Sequence, residues 1–540
     1  MLNYHQGNQG DQNMTCHVHF SADEPRESLS VALIIVFYLA IFPWLNPVAP
    51  GPSPAFIPLL ASWLCAATAV LVFLWHVASR KKLIFIVSWS WLISGLISCF
   101  LGLLQYFGAT GELSSLVNSA RFGEAFANLR QRNQFASLTN IALAALLLIA
   151  QHGYSPSCKS KRESYLTCLL VMLAATVLAV GNSISSSRTG FFELLLLCVL
   201  SILWGQWRRK FVRTLLIWIV LVYGAAALTM PYLAGLDSAY GAFARMGKDE
   251  ACSSRLVLWS NVLRLISEKP WLGWGWGELD YAHFITLYNA PRFCDILDNA
   301  HNLPLHLAVE LGVPLALLVC GGFSWWVWRQ RPWAERDATR QMAWTVMAVI
   351  LLHSMLEYPL WYGPFQMAFG ACLLLLWHQK QPLDAQNSSE KTSSRPLALI
   401  LCAPAAIISI AFIAYAMWDY RRVSQIYLQP EARDAYYRSD TLAKIRNSWF
   451  FADQVRFAEL MITPLSLANA AWTFSTATAL LHYTPESRVI EKLIESAVML
   501  GRDDEAMAYL ARYRVAFPKE HALWAKANAI SIAPPDAKAN

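Results

Sequence analysis

The feature that most constrains this chain is the recurrence of apolar runs approaching the ~20 residues that cross a bilayer, far more of them than one soluble core can bury. Stretches such as 141–150, 194–204 and 373–377 leave no polar face for water. A helix apolar on every side is a membrane span or a deeply buried core element. Composition separates the two. Of 540 residues, 56% are hydrophobic and only 15% charged, and a soluble domain needs more charge than that to cover its surface. The expected fold is therefore all-α: a polytopic membrane protein with about 11 transmembrane helices, at 29–45, 55–78, 83–107, 134–150, 165–180, 190–204, 211–230, 302–328, 342–358, 364–378 and 397–418.

Loop charges orient these spans. One alternating set of loops holds Arg80-Lys81-Lys82, then Lys159, Lys161 and Arg162, then Arg208-Arg209-Lys210 with Arg213. It continues with Arg329, Arg331, Arg336 and Arg340, and ends with Lys380, Lys391 and Arg395. The opposite short loops have no Lys or Arg in 46–54, one in 181–189 and none in 358–363. Positive residues stay inside, so the N-terminus is cytoplasmic and the C-terminus periplasmic, in a bacterial inner membrane. The net charge of +7 is spent in these loops and gives no reason to expect nucleic acid. Residues 1–28 are polar, with Asp23, Glu24 and Glu27, and lack the layout of a cleaved signal. They form a cytoplasmic segment, followed by a transmembrane domain over 29–418 with a large periplasmic loop at 231–301. Beyond it, 419–540 reads as a soluble helical domain, whose Gly501-Arg502-Asp503-Asp504-Glu505-Ala506 run ahead of Pro518 resembles one arm of a tetratricopeptide-type hairpin. Most cysteines lie in spans as small hydrophobes. Cys252 and Cys294 share the large outer loop, where an oxidising compartment permits a disulfide; two unrelated thiols are the alternative.

Five polar clusters interrupt the apolar background, and the loop charges put all five on the outer side. They are Arg130-Gln131-Arg132-Asn133-Gln134, Ser185-Ser186-Ser187-Arg188-Thr189-Gly190, and Ser253-Ser254-Arg255 with Trp259. The last two are Asn299-Ala300-His301-Asn302-Leu303 and Glu357-Tyr358-Pro359-Leu360-Trp361-Tyr362. Guanidinium forks match phosphate oxygens in two-point contacts, which makes Arg188 and Arg255 anion-site candidates. Snorkelling to lipid headgroups is the bland alternative, and it carries more weight for Arg130 and Arg132. His301 stands just before a helix start, where a neutral imidazole can accept a proton. His306 is read as structural. His353 and Glu357, spaced i, i+4, are read as a packing pair on one helix face. The run from Trp271 to Gly277 reads as an aromatic interfacial turn.

The order and common sidedness of these segments, with Glu310-Leu311-Gly312 after His-Asn-Leu, resemble the O-antigen ligase and polymerase superfamily. With the Glu357–Tyr362 segment and the helical tail, the chain resembles one branch of it, the bacterial protein O-oligosaccharyltransferases of the PglL type. Arg132 stands where that branch often has Pro. The resemblance implies a glycosyltransferase that moves a preassembled glycan from an undecaprenyl-pyrophosphate carrier to a Ser/Thr hydroxyl of an exported, pilin-like protein. It makes His301 the catalytic residue, Arg188 and Arg255 the donor pyrophosphate ligands, and Gln131, Asn133, Tyr358, Tyr362 and Asn302 further substrate-binding positions. General-base help of this kind is worth typically ~10²–10⁴ in rate. No acidic metal cluster is apparent outside, so neither metal nor cofactor is expected. The rival readings are O-antigen ligation to lipid A–core or repeat-unit polymerisation, which share the donor, and a lipid-linked glycan flippase. The last predicts internal repeats and ionisable groups near the midplane, whereas here the polar clusters crowd one face and no repeat is evident.

Overall fold

The computed structural model describes residues 31–49, 51–73, 80–113, 115–153, 161–236, 252–377 and 394–532. The expected N-terminal segment 1–28, Lys159, Lys380, Lys391 and residues 237–251 of the large loop lie outside them. Helices account for every regular element among the described residues, and no strand occurs there. In the first half these are α1 (Val31–Leu45), α2 (Phe56–Val72), α3 (Arg80–Tyr106), α4 (Arg132–Gly153), α5 (Lys161–Ile184), α6 (Arg188–Leu203) and α7 (Lys210–Leu233). Then come α8 (Arg255–Glu268), α9 (Leu279–Ile285), α10 (Leu303–Leu311), α11 (Val313–Gln330), α12 (Ala338–Ser354), α13 (Gly363–Trp377) and α14 (Ser394–Ser424). The remainder comprises α15 (Thr441–Ile445), α16 (Ala452–Ile462), α17 (Ala470–Leu480), α18 (Ser487–Met499), α19 (Asp503–Ala516) and α20 (Pro518–Ile532).

Five stretches among the described residues are long and apolar enough to cross a membrane: Lys81–Tyr106, Arg132–Gln151, Tyr165–Ile184, Lys210–Leu233 and Cys402–Tyr427. Helices α1, α2 and α13 are apolar but shorter. The perimeter is apolar as well: Leu169, Leu170 and Leu173 on α5 are 64%, 56% and 57% exposed, an arrangement that suits lipid and not water. Helix α4 is the axis, with Ile141, Ala142, Leu143 and Ala145 fully buried between α3, α5, α6 and α12. Lipid removes the hydrophobic drive between helices, so close packing holds them together. Gly95 meets Ala142 and Gly181 meets Cys99 so tightly that an added Cβ would lie 2.4 and 2.2 Å from the neighbour.

One expected helix, 302–328, is instead two. Gly312 has φ 89° and ends α10, and Pro314 sits in the first turn of α11, where its missing N–H costs nothing. The break lets the chain fold back: Val313 donates its N–H to Pro270 O at 2.8 Å, and Trp274 and Gly275 donate to Val309 O and Glu310 O at 2.9 and 3.0 Å. Helix α10 thereby leaves the bundle and packs with α8 around Leu258, Val262, Leu265, Leu279, Leu297 and Val309.

The two ends of the bundle differ. At one end the basic loops meet: Trp204 Nε1 donates to Pro332 O (2.7 Å), Gln206 to Gln341 (2.6 Å) and Arg209 to Gln151 (3.2 Å). At the other, Asn128 donates to Leu45 O (2.7 Å), Arg130 to Pro47 O (2.9 Å) and Asn302 to Met355 O (3.1 Å). The helices of the tail form their own core around Leu460, Ala477, Leu480, Ile490, Leu493 and Tyr513, and α9 joins it through Phe284.

Candidate active site

Three of the polar motifs contain a non-glycine residue in the left-handed region: Arg130 (φ 61°), Ser186 (φ 52°) and His301 (φ 49°). Each stands two residues ahead of a helix, α4, α6 and α10 respectively. Such backbones cost on the order of 1–3 kcal/mol each and persist only where their surroundings over-determine them. Side chains do so here. Asn299 Oδ1 accepts the His301 N–H at 2.8 Å, and Asn302 caps α10 by accepting from Leu305 N at 3.2 Å. Ser187 Oγ accepts from Gly190 N (2.9 Å) and donates to Asn133 Oδ1 (2.7 Å), which ties the start of α6 to the start of α4. Ser254 caps α8, whose first residue is Arg255. Trp259, one turn on, donates to Ala300 O at 3.2 Å and braces the turn that carries His301.

These segments meet at Glu357. Its Oε2 lies 2.7 Å from His301 Nδ1 and accepts from Gln131 Nε2 at 3.3 Å. Its Oε1 accepts from Asn133 Nδ2 at 3.4 Å and from Arg255 Nη2. Glu357 N–H still donates to His353 O at 2.8 Å, but helix α12 ends at Ser354 and the Glu357 carboxylate is taken up by these four partners. Burial pushes the Glu357 carboxyl up, but the hydrogen bond and charge of His301, with Arg255 and His353, outweigh it and hold the group below the usual carboxylate range. An ionised carboxylate can only accept, so His301 donates through Nδ1, and in the neutral tautomer of that ring the lone pair lies on Nε2. That is the arrangement of a base oriented by a third group.

Tyr358 packs edge-on to His301, with ring centroids 5.0 Å apart, and Tyr362 stacks on Tyr358 at 5.9 Å. Burial and the neighbouring Tyr362, Asp298 and Glu357 push the Tyr358 phenol up, so it stays a donor. Arg188 opens α6 beside Ser187 and is exposed. Arg255 is 38% exposed at its side chain while Glu357 is 8% exposed, which leaves the guanidinium facing outward from the carboxylate it pairs with. The positive ends of α4, α6, α8 and α10 add to the attraction for an anion. Arg132 pairs with Glu124, and Arg130 is spent on Pro47. Cys252 and Cys294 form a disulfide with Cα atoms 5.4 Å apart, joining the chain just before Arg255 to the chain just before His301. Among the described residues no group of three or more His, Cys, Asp or Glu side chains is placed to hold a metal ion.

Below the site a polar network descends into the bundle. Ser137 Oγ lies 2.6 Å from Glu193 Oε1 and 2.8 Å from His353 Nδ1. Asn140 donates to Glu193 Oε2 and to Gly190 O, both at 3.0 Å, and Asn182 donates to Asn140 at 3.0 Å. Glu193 and His353 are fully buried. Glu193 stands in no motif; a lone carboxylate within an apolar run is the only signal in the sequence that could have found it.

Comparison with known proteins finds three family models that match successive parts of the chain. Residues 125–148 match the model described as protein glycosylation ligase, 169–320 that of O-antigen ligase, and 341–530 that of the virulence factor membrane-bound polymerase, C-terminal. Gln131 and Asn133 fall in the first, Arg188, Arg255 and His301 in the second, and Glu357, Tyr358 and Tyr362 in the third. The chain is 24% identical over 290 residues to a ComP-specific O-oligosaccharyltransferase of Acinetobacter baylyi, covering 53% of this chain and 50% of that protein. It is 21% identical over 355 residues to a general O-oligosaccharyltransferase of the same organism, covering 64% and 58%. The chain thus spans little more than half the length of these curated relatives. No solved structure matches it. The chain is a membrane protein similar to O-antigen ligases and protein O-oligosaccharyltransferases, and those relatives are enzymes of the glycosyltransferase type.

Proposed function

We propose that this protein transfers a preassembled glycan from a polyprenyl (undecaprenyl) pyrophosphate carrier to a Ser or Thr hydroxyl of an exported, pilin-like protein. The observation that carries the reading is the meeting of His301, Arg255, Gln131 and Asn133 on Glu357. In this reading the site faces the periplasm, the N-terminus is cytoplasmic, and eleven helices cross the inner membrane, with α10 outside it and α11 as the eighth. Residues 29–418 form the transfer domain and 419–540 a tetratricopeptide-like periplasmic domain that offers a surface for a polypeptide.

The acceptor oxygen bonds to the anomeric carbon while His301 Nε2 takes its proton. The bond from that carbon to the pyrophosphate oxygen breaks, and the carrier leaves with both electrons. Negative charge grows on the leaving oxygens, where Arg188, Arg255 and the helix N-termini stabilise it. Glu357 holds the imidazole and stabilises its positive charge once the proton has moved, as the third member of a triad does. Direct displacement inverts the anomeric centre. Reconstitution of the chain with a lipid-linked oligosaccharide and a pilin-like acceptor tests the proposal: a mass shift of one glycan on a Ser or Thr is expected. Because residues 169–320 match the O-antigen ligase model, lipid A–core belongs in the same experiment, and a shift there alone overturns the protein-acceptor reading.

A further inference from the structure

The outer loop carries a feature that proton transfer and pyrophosphate departure do not use. Trp276 is 63% exposed, yet one face of its indole is covered. It stacks on Trp361 with centroids 6.2 Å apart and planes 11° from parallel, and His306 packs edge-on against both, at 6.2 and 5.0 Å. A lone exposed Trp often marks a membrane surface; this one is held by Trp361 and His306. Its backbone is held by the bonds of Trp274 and Gly275 to α10, and flanking Gly275 and Gly277 take φ of 120° and 78°, which suits glycine. The platform also comes from the same segments as the reacting centre: Trp361 lies three residues beyond Tyr358, and His306 five beyond His301.

Polar groups follow closely in the chain. Two residues past Trp276, the Glu278 carboxylate lies 2.7 Å from His482 Nδ1, and Tyr281 stacks on that imidazole at 3.8 Å. Both partners of the pair are accessible, at 27% and 47%. A pyranose ring has an apolar C–H face whose weakly positive hydrogens suit the negative face of an aromatic ring, and a rim of hydroxyls that need donors and acceptors. The exposed Trp276 indole meets the first requirement, and the accessible Glu278–His482 pair close by in the chain offers polar groups for the second. A lipid tail would use only the indole.

We propose that Trp276 and Trp361 form a sugar-binding subsite, on which an outer residue of the donor glycan lies while its reducing end is held at His301. The proposal rests on the transfer reading, so its test has two readouts. The first is transfer by the full chain from lipid-linked donors carrying one sugar or several. Trp276→Ala is expected to raise KM for the longer donor by about tenfold, as loss of a ~1.4 kcal/mol interaction would, with kcat little changed and KM for the one-sugar donor within about twofold. Trp276→Phe restores most of the difference, and Trp271→Ala, on the same loop but off the platform, leaves both donors unaffected. An equal rise for both donors, or no rise, overturns the subsite. The second readout is saturation-transfer NMR of the free oligosaccharide with the detergent-solubilised full chain. Wild type is expected to pass saturation to the sugar ring protons, and Trp276→Ala is not. If wild type passes none, the subsite is overturned even if glycan is transferred. If wild type saturates the sugar and Trp276→Ala does not, yet wild type glycosylates no protein, the transfer reading falls and the subsite stands.

Discussion

Helix α12 has a buried glutamate beyond each end, and the two have opposite fates. Glu335, ahead of the helix, pairs with Arg340 Nε at 2.7 Å and accepts the N–H groups of Arg336 and Asp337 at 3.0 and 3.2 Å. Arg340 spends its Nη1 on Leu376 O at 2.7 Å, and both side chains are closed off, at 2% and 6% exposure. Glu357, beyond the other end, gathers partners 56, 102, 224 and 226 residues away in sequence. Both carboxyls lie low in pKa, because burial raises each and hydrogen-bonded cations outweigh it. A shifted carboxylate therefore does not by itself mark a site. What separates them is that a local, sealed pair satisfies itself, whereas Glu357 joins residues of four distant segments and holds an imidazole through one of its two nitrogens.

The largest effect that tests this contrast is at the imidazole. His301→Ala should cut glycan transfer by about 10³-fold while membrane insertion is retained; residual activity near wild type would remove His301 as the base. Glu357→Gln should follow, with a loss on the order of 10² in kcat, because a neutral amide does not stabilise the charged ring. Its pH signature has a definite sign. A carboxyl held low in the folded state adds stability above its unfolded pKa and loses it as pH falls through the folded value. The melting difference between wild type and Glu357→Gln should thus be full at about pH 7 and shrink well below about pH 4. A difference that persists in acid would mean that charge is not what Glu357 contributes.

Glu335→Leu should invert the pattern, lowering stability by about 3 kcal/mol with kcat and KM unchanged in the protein that remains folded. Slowed turnover at constant KM would show that the sealed pair reaches the chemistry after all. The smallest effect is expected from Cys252→Ser with Cys294→Ser. Losing a link across 42 residues removes roughly 2–4 kcal/mol from the outer loop and should lower transfer only through the fraction of loop that opens. Reductant should reproduce it in wild type.

Much of the fold is legible in the amino-acid order. A helix lies at each of the eleven apolar runs, five of them long and apolar enough to cross a membrane, where a chain must satisfy its own backbone and has little choice of structure. The break at Gly312 is written in the Gly-Val-Pro order, but the apolar run continues through it and masks the punctuation. His301, Arg255, Gln131 and Asn133 do come together, since each stands at or near a helix start and helix starts are readable from their caps. The role of Glu357 is not legible in the same way, because a spacing rule holds only inside a continuous helix, and α12 stops three residues short of it. His353, the other half of that expected pair, turns instead to Ser137. Side chains that meet across more than 200 residues leave no periodic trace in the sequence.

That long reach also sets a timetable. The ribosome delivers Gln131, Asn133, Arg255 and His301 well before residue 357, so a growing chain carries all four partners while the carboxylate that gathers them is still unmade. The cluster can then close only at one late moment of synthesis, and a chain released before that point would hold the motifs without the residue that joins them.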